Sequence, residues 1–355
     1  MRGLVLTGVG DVEVHDDLPE PTIEEPTDAI IEVTRTGLCG SDLHPYEGRE
    51  AVRFGVVPGH EAVGTVVALG AEASSAAAIG ERVLVPFTTS CGTCSPCRRG
   101  LSSRCVHGAL FGFGDPDDRS LPPLHGAQAS HLRVPLAPGT LVGVPDDLDD
   151  AAAVLLTDNL PTGWAAATRG EVGPGQRVAV IGLGSVGLCS LHAARTLGAR
   201  GLVAVDPVAT RRGSALQLGA DLGVHPDDAE AAVLESTGGE GVDVAIDASG
   251  TLAGQALAAR LLGPGGILSI IAVQTEPRFG VTPVQAYDRN LTIRAGRAPV
   301  RSLLDDLVPR ILDGRLTVPT EVLMTHPAEP LAEGPTWYRR FAAREPGLIK
   351  AALVP

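Results

Sequence analysis

Four cysteines lie close together in a part of the sequence that is rich in turn-forming residues. Their order is Cys91-x2-Cys94-x2-Cys97-x7-Cys105, with glycine and proline residues between them. Four thiolates at this spacing can close a tetrahedral shell around Zn²⁺, which is typical of a structural site with no open ligand position. The alternative is four free, solvent-facing thiols, but thiols at this density would oxidise. The segment therefore predicts a structural zinc site.

A second group of metal-binding residue types is dispersed over the first half of the chain. It consists of Cys39 in GLCGSDLH, the pair His60 and Glu61 in GHE, and Asp158 in TDNLPTG. Thiolate, imidazole and carboxylate groups all bind Zn²⁺. A lone cysteine or histidine is usually a core or surface residue, so spacing alone leaves both interpretations open.

A glycine-rich motif, GLGSVG, directly follows an apolar segment at 177–181 and precedes a helical pattern. In a dinucleotide-binding loop the first glycine allows a tight turn, and the second lets the backbone approach a pyrophosphate at the helix N-terminus. The third glycine allows close packing of helix and strand. The alternative is a glycine-rich turn that binds nothing. We assign to the cofactor the loop residues Gly182, Gly184, Ser185, Val186 and Gly187.

An acidic residue follows this loop at the distance that dinucleotide-binding proteins use. Asp206 ends the next apolar segment and lies 19 residues after Gly187. A carboxylate there can accept hydrogen bonds from an adenosine ribose and would repel a 2′-phosphate, which favours NAD over NADP. Arg211, which we also count among the cofactor contacts, and Arg212 favour a phosphate and weaken this preference.

The composition is typical of a globular, acidic protein. At about 150 residues per domain, 355 residues predict two domains. The net charge of -14 and pI of about 5.0 argue against a nucleic-acid partner, because a phosphate backbone would be repelled. The longest nearly apolar stretch, 178–191, is shorter than the ~20 residues of a bilayer span. Since we find no export signal, we expect a cytoplasmic protein with no membrane segment and with metal-bound cysteines rather than disulfides.

The pattern of apolar residues divides the chain into two kinds of structure. Up to about residue 155, short strands alternate with glycine and proline clusters. After Asp158, unbroken apolar strands alternate with helices, which indicates a parallel sheet covered on both faces. The strands expected in the first part are 29–35, 62–68, 82–86 and 131–135.

The last part of the chain returns to the first kind of pattern. We expect a helix at 302–313, an extended segment at 316–326, a helix at 336–344 and a closing strand. These residues are too few to form a domain and should pack on the first one. We therefore predict a β-rich domain of residues 1–157 and 297–355, and a doubly wound nucleotide-binding domain of residues 158–296.

Taken in order, several of these motifs resemble one known family. GLCGSDLH, GHE, CGTCSPC, TDNLPTG, GLGSVG and the closing GLIKAALVP are similar to the zinc-dependent medium-chain dehydrogenase/reductase family, the alcohol dehydrogenases. The resemblance spans nearly the whole chain. It implies an α/β protein with a GroES-like catalytic domain and a Rossmann domain, which transfers a hydride between an alcohol or carbonyl substrate and NAD and holds two Zn²⁺ per chain.

The resemblance also implies roles for the dispersed residues. Cys39, His60 and Asp158 would hold the catalytic zinc, with water or Glu61 in the fourth position; Asp158 stands where some members have a cysteine. A metal at such a site lowers the pKa of a bound alcohol. Asp42 would orient His60, and Ser41 with a surface His44 would form a proton relay. Thr162 and Lys350 would lie near the nicotinamide and pyrophosphate. Phe87 and Trp164 would line the substrate pocket.

Other functions remain open from the sequence. A non-catalytic NAD-binding sensor or scaffold would have the same fold, although the intact ligand and relay residues argue against it. A dismutase with permanently bound NAD is a third possibility. The expected partners are a small alcohol, aldehyde or ketone and further copies of the chain, as a homodimer or homotetramer whose seam is the apolar stretch 266–273.

Overall fold

The structure is a computed structural model that describes residues 1–75, 77–113 and 124–355. These residues form two units. Unit 1 comprises Met1–Asp158, Pro299–Thr320 and Met324–Pro355, and unit 2 comprises Asn159–Ala298 and Glu321–Leu323. Compared with the boundaries expected from the sequence, Asp158 belongs to unit 1, and residues 297–298 and 321–323 belong to unit 2.

The strands are numbered along the chain. They are β1 (Gly3–Gly8), β2 (Asp11–His15), β3 (Ala29–Leu38), β4 (Ala62–Leu69), β5 (Arg82–Val85), β6 (His131–Val134), β7 (Val142–Gly143), β8 (Val178–Ile181), β9 (Leu202–Val205), β10 (Leu222–Val224), β11 (Val242–Asp247), β12 (Leu262–Ile270), β13 (Thr292–Ala295), β14 (His326–Pro330) and β15 (Ala351–Val354).

The α-helices are numbered in the same way. They are α1 (Leu43–Tyr46), α2 (Ser95–Arg98), α3 (Ala137–Thr140), α4 (Asp150–Thr157), α5 (Asn159–Arg169), α6 (Ser185–Thr196), α7 (Ala209–Gln217), α8 (Ala229–Ser236), α9 (Leu252–Leu261), α10 (Pro283–Asp288), α11 (Val300–Leu312), α12 (Thr320–Leu323) and α13 (Gly334–Ala342). Within the described part of the chain, we find no helix with both the length and the apolar character of a membrane span.

Unit 1 is built on a mainly antiparallel sheet of order β14-β15-β3-β4-β5-β7, with β6 also paired to β3. Along β3, Ile31 and Val33 are buried on either side of the exposed Glu32, as expected for a strand with one face in a core. The pairing of β3 with β4 is antiparallel and includes Thr36 opposite Ala62. The end of β3 and the start of β4 therefore lie side by side.

Unit 2 contains a parallel sheet of order β10-β9-β8-β11-β12-β13. Strands β8 and β9 are buried along their whole length, because a parallel sheet has both faces covered. This architecture confirms the prediction of a doubly wound domain. The loop that follows β8 leads directly into α6, as the glycine motif predicts.

The proposed seam at 266–273 is wrong. Most of it belongs to β12, which lies between β11 and β13 and is an interior strand of the described sheet. The edge position belongs to β13, a short strand with the sequence TIRA. This strand was not predicted because it mixes polar and apolar residues. Any pairing of sheet edges would have to use β13 or β10.

Several helices, among them α4 and α5, were not predicted from the sequence, and one segment was misassigned. Residues 150–169 form α4 and α5, where an alanine-rich run provides helix propensity and Asp149 caps α4 by accepting from the N–H of Ala152. The segment 316–326, expected to be extended, contains the short helix α12. The α4 helix matters for function because Asp158 immediately follows its last residue.

Candidate active site

Four metal-binding side chains from distant parts of unit 1 meet in one buried cluster. The ligand atoms of Cys39, His60, Glu61 and Asp158 all lie within 4.8 Å of one another. Asp158 Oδ2 is 3.5 Å from the Cys39 sulfur and 3.5 Å from His60 Nε2. All four residues are buried. The structure thus brings together the dispersed residues that spacing alone could not connect.

Three secondary-structure elements position this cluster. Cys39 directly follows β3, and His60 and Glu61 directly precede β4, so the antiparallel pairing of these strands brings them together. Asp158 is the C-terminal capping residue of α4. The site therefore depends on the tertiary fold rather than on a local loop.

Asp42 joins the cysteine and histidine segments. Its Oδ2 accepts the backbone N–H of Cys39 at 2.8 Å, and its Oδ1 lies 3.1 Å from His60 Nδ1. A carboxylate on Nδ1 leaves Nε2 of His60 facing the cluster, which is the arrangement that metal-bound imidazoles commonly have. Asp42 is thus placed to orient His60, as the resemblance implies.

The cluster is electrostatically suited to a divalent cation. Burial and the neighbouring Asp158 raise the pKa of Cys39, and burial raises the pKa of Glu61. Burial alone would lower the pKa of His60, but the charge of Asp42 and hydrogen bonds to Asp158 and Asp42 raise it. A bound Zn²⁺ would favour the deprotonated thiolate, imidazole and carboxylate forms of these groups. The donor set fits zinc.

Lys350 lies beside this cluster, in contact with Glu61. This position was not predicted from the sequence. The Lys350 ammonium group donates to Glu61 Oε1, and both side chains are fully buried. Burial would lower the pKa of Lys350, but Glu61 and Cys39 raise it. Lys350 is the only lysine of the chain, and it lies in an apolar closing segment. A lysine in such a segment could have indicated a buried ion pair.

The two residues of the expected proton relay occupy different environments. Ser41 Oγ lies 3.2 Å from His60 Nε2, beside the metal-binding atoms. His44 is on α1 and is 9% exposed, so the expectation of a surface imidazole is wrong. The reason is that α1 packs in the core through Leu43 and Tyr46. Burial, and then the charge of Arg49, lowers the pKa of His44 to about 4.

Aromatic rings border the histidine of the cluster. The ring of Phe87 packs edge-on against His60 with centroids 6.3 Å apart, and Phe113 packs at a tilt over the same distance. The resemblance implied Phe87 as a pocket residue, whereas for Phe113 the sequence left pocket and core positions equally open. Trp164 and Thr162, also named, lie on α5 in unit 2 and are buried.

The four clustered cysteines form a second donor group in unit 1. The sulfur atoms of Cys91, Cys94, Cys97 and Cys105 all lie within 4.8 Å of one another, and the thiols are partly exposed. Backbone N–H groups face them, with Cys91 N 3.2 Å from the Cys105 sulfur and Cys94 N 3.3 Å from the Cys91 sulfur. This arrangement of four thiols suits a closed zinc site.

The glycine loop of unit 2 has the shape of a phosphate-binding turn. Gly182 has φ of +88°, and a Cβ there would lie 2.8 Å from the backbone of Ser249. A Cβ on Gly187 would collide with the carbonyl oxygen of Gly182, whereas a Cβ on Gly184 would meet nothing within 4 Å. The first and third glycines are therefore required by packing, and the second leaves open space at the start of α6.

Asp206 is tied to this loop. Its Oδ2 accepts the N–H of Leu183 and its Oδ1 accepts the N–H of Val208, both at 2.8 Å. Arg211 lies 3.9 Å from the carboxylate, and Arg212 donates to the Asp206 carbonyl oxygen. The carboxylate thus orders the turn, and its contact with a ribose stays a prediction.

Comparison with known proteins identifies the family. The family model described as "Alcohol dehydrogenase GroES-like domain" matches residues 25–146, and "Zinc-binding dehydrogenase" matches residues 185–303. The "Probable zinc-binding alcohol dehydrogenase" of Mycobacterium tuberculosis is 39% identical over 358 residues, which cover 100% of this chain and 89% of that protein. The "NDMA-dependent alcohol dehydrogenase" of Amycolatopsis methanolica is 33% identical over 267 residues, 72% of each chain.

Among solved structures, alcohol dehydrogenase TADH from Thermus sp. ATN1 matches with a TM-score of 0.90 and 34% identity, covering 100% of this chain and 99% of that one. The fold and the mixed thiolate, imidazole and carboxylate site define a zinc-binding oxidoreductase. The chain belongs to the zinc-dependent medium-chain dehydrogenase/reductase family, that of the zinc-type alcohol dehydrogenases. The family membership expected from the motifs is confirmed.

Proposed function

We propose that the protein is an NAD-dependent alcohol dehydrogenase that interconverts an alcohol with its aldehyde or ketone. The observation that supports this most strongly is the buried convergence of Cys39, His60 and Asp158 with the imidazole braced by Asp42. Three protein ligands of mixed type are typical of a catalytic zinc site, which keeps one ligand position for substrate.

Cys39, His60 and Asp158 would hold the catalytic zinc, and water or Glu61 would take the fourth position. With water in the fourth position, the thiolate and carboxylate charges balance Zn²⁺ and His60 stays neutral, so the loaded site is formally uncharged. When bound, zinc lowers the pKa of an alcohol hydroxyl at its open position, and the nicotinamide accepts the hydride. Phe87 and Phe113 would limit the access of water beside His60.

Ser41 and His44 would move the substrate proton. The Ser41 hydroxyl lies beside His60 Nε2 and can accept a proton from an alcohol bound there and donate its own. Burial and Arg49 lower the pKa of His44 to about 4, so its ring is neutral at neutral pH and would hold the proton only transiently.

The cofactor would bind to unit 2 through the loop and Asp206. The open backbone at Gly184 and the N–H groups of the first turn of α6 suit a pyrophosphate, and the Asp206 carboxylate suits an adenosine ribose. Thr162, Arg211 and Lys350 are further proposed contacts. We expect Asp206→Gly to shift the ratio of kcat/KM for NAD over NADP by about tenfold towards NADP, equivalent to roughly 1.4 kcal/mol. Higher efficiency of the unaltered enzyme with NADP would contradict the role of Asp206.

The direct test is a screen of alcohols, aldehydes and ketones with NAD, NADP and NDMA, monitored by the absorbance of the reduced cofactor or acceptor. We expect turnover with NAD, its loss in Cys39→Ser, and its retention in the control Cys189→Ala, which removes a buried cysteine in unit 2. A Cys39→Ser variant with full activity would contradict the proposal and favour the sensor or scaffold alternative.

A second candidate, kept open from the sequence, is a dismutase with permanently bound NAD. Such an enzyme would convert aldehydes without added cofactor, and the purified protein would retain cofactor absorbance. Turnover that depends strictly on added NAD would exclude it.

We also propose a homodimer or homotetramer. Because the stretch 266–273 is interior, a sheet-extending contact would use an edge strand such as β13. Light scattering at micromolar concentration should give at least twice the chain mass, and a monomer would contradict this.

A further inference from the structure

Gln128 lies between the two backbone segments that provide Cys39 and His60. The residue is fully buried, and its side-chain Nε2 donates to the carbonyl oxygen of Gly37 over 3.4 Å. It also lies against Gly59, because a Cβ there would be 2.5 Å from Gln128 Cγ. A single side chain therefore contacts the backbone two residues before Cys39 and one residue before His60.

Tyr338 fixes the orientation of this amide. The phenol on α13 is 1% exposed, and its hydroxyl donates to Gln128 Oε1 at 2.8 Å. The carbonyl of Gly37 can only accept, so the amide must present its NH₂ to Gly37 and its oxygen to Tyr338. In this orientation the buried amide has a partner at each end, as buried polar groups require.

The surrounding backbone is held independently of the Gln128 side chain. Gln128 N donates to the carbonyl oxygen of Pro58 at 3.0 Å, and Ala127 N donates to that of Gly59 at 2.9 Å. Substitution of the side chain leaves these bonds available. The amide is thus an additional connection between segments that are already folded, and its removal can be tested in a folded protein.

We propose that Gln128 is a positioning residue for the zinc site, holding the Cys39 and His60 segments at a fixed separation, with Tyr338 setting the orientation of its amide. The inference rests on the proposed function only in that Cys39 and His60 bind zinc. Loss of a hydrogen-bond partner of a metal ligand typically lowers metal affinity by about 10- to 100-fold. Gln128 contacts the backbone beside the ligands rather than the ligands themselves, so its loss should act at the lower end of this range.

The test compares Gln128→Leu, which keeps the volume and removes both hydrogen bonds, with Tyr338→Phe, which removes one hydroxyl. The control is Trp337→Phe, which alters the same helix and the same core cluster. The rate of zinc transfer to a chromophoric chelator and the visible spectrum of the cobalt-substituted enzyme are measured for each, with circular dichroism to verify folding.

We expect Gln128→Leu, which loses two hydrogen bonds, to release one zinc about tenfold faster, and Tyr338→Phe, which loses one, about threefold faster. Both should shift the cobalt spectrum, while the control and the second zinc behave as in the unaltered enzyme. If Gln128→Leu does not fold, Tyr338→Phe decides the question. If the folded variants release zinc at the wild-type rate and have the wild-type cobalt spectrum, the role of Gln128 is overturned and the proposed function is not. An unaltered enzyme that lacks a chelatable zinc would overturn the proposed function.

Discussion

The two cysteine-containing clusters of unit 1 are built in opposite ways. Cys91, Cys94, Cys97 and Cys105 come from one short segment, share one donor type and are partly exposed. Cys39, His60, Glu61 and Asp158 come from three elements, mix sulfur, nitrogen and oxygen donors, and are buried. A local set of four thiolates can organise its own loop around a metal, whereas the dispersed set is organised by the fold.

The difference also concerns what else surrounds each cluster. The local cluster is faced by backbone N–H groups from its own loop. The dispersed cluster has side chains dedicated to it, with Asp42 on His60 and Lys350 on Glu61. We therefore propose that a metal at the first site would stabilise the fold, and that the fold at the second site would hold a metal available for chemistry.

The largest expected effect is that of Cys97→Ser at the local cluster. Structural zinc contributes about 10 to 16 kcal/mol in zinc-finger peptides, comparable with the whole stability of a domain. We expect aggregated or low-melting protein, measured by thermal unfolding against the control Cys189→Ala. A variant that melts like the unaltered protein would show that this zinc does not support the fold.

Lys350→Met should destabilise the protein by about 3 to 5 kcal/mol, because it leaves the fully buried Glu61 carboxylate without its cation. Denaturant unfolding of the zinc-loaded protein measures the loss. The double variant Glu61→Gln with Lys350→Met should recover much of it, since the buried charge is then removed. Unchanged stability with weakened binding of NAD would instead assign Lys350 to the cofactor.

Cys39→Ser should affect chemistry rather than folding. Loss of several kcal/mol of transition-state stabilisation by the metal corresponds to about a thousandfold or more in kcat/KM. The melting temperature should change little, because this site is held by the strands and α4. If Cys39→Ser lowers the melting temperature as strongly as Cys97→Ser, the two clusters do not differ in their contribution to folding.

Asp42→Asn should have the smallest effect, a decrease of zinc affinity at the dispersed site of about 10- to 100-fold. The amide keeps the shape of the carboxylate but has only one acceptor oxygen, so it cannot accept from both Cys39 N and His60 Nδ1, and it lacks the carboxylate charge. Competition with a chelator of known affinity measures the change. An equal decrease in the affinity of both zinc sites would contradict a specific role of Asp42 at His60.

The local cluster and the loop were predictable because their ligands are close in sequence, so spacing alone defines the chemistry. The dispersed ligands were named only through resemblance, since their proximity depends on the pairing of β3 with β4 and on α4. The buried positions of Lys350 and His44 were not predicted because they depend on packing in unit 1. The edge strand β13 was missed because edge strands need little apolar patterning.

The measurement that tests this account most directly is brief treatment with a small chelator, followed by metal analysis, activity and thermal unfolding of the same sample. Because the dispersed site keeps a position open for substrate and the four-thiolate site does not, we predict loss of about one zinc per chain. Turnover should be abolished while the melting temperature changes little. Loss of both zinc ions with unfolding, or retained turnover after one zinc is removed, would contradict the assignment of the two sites.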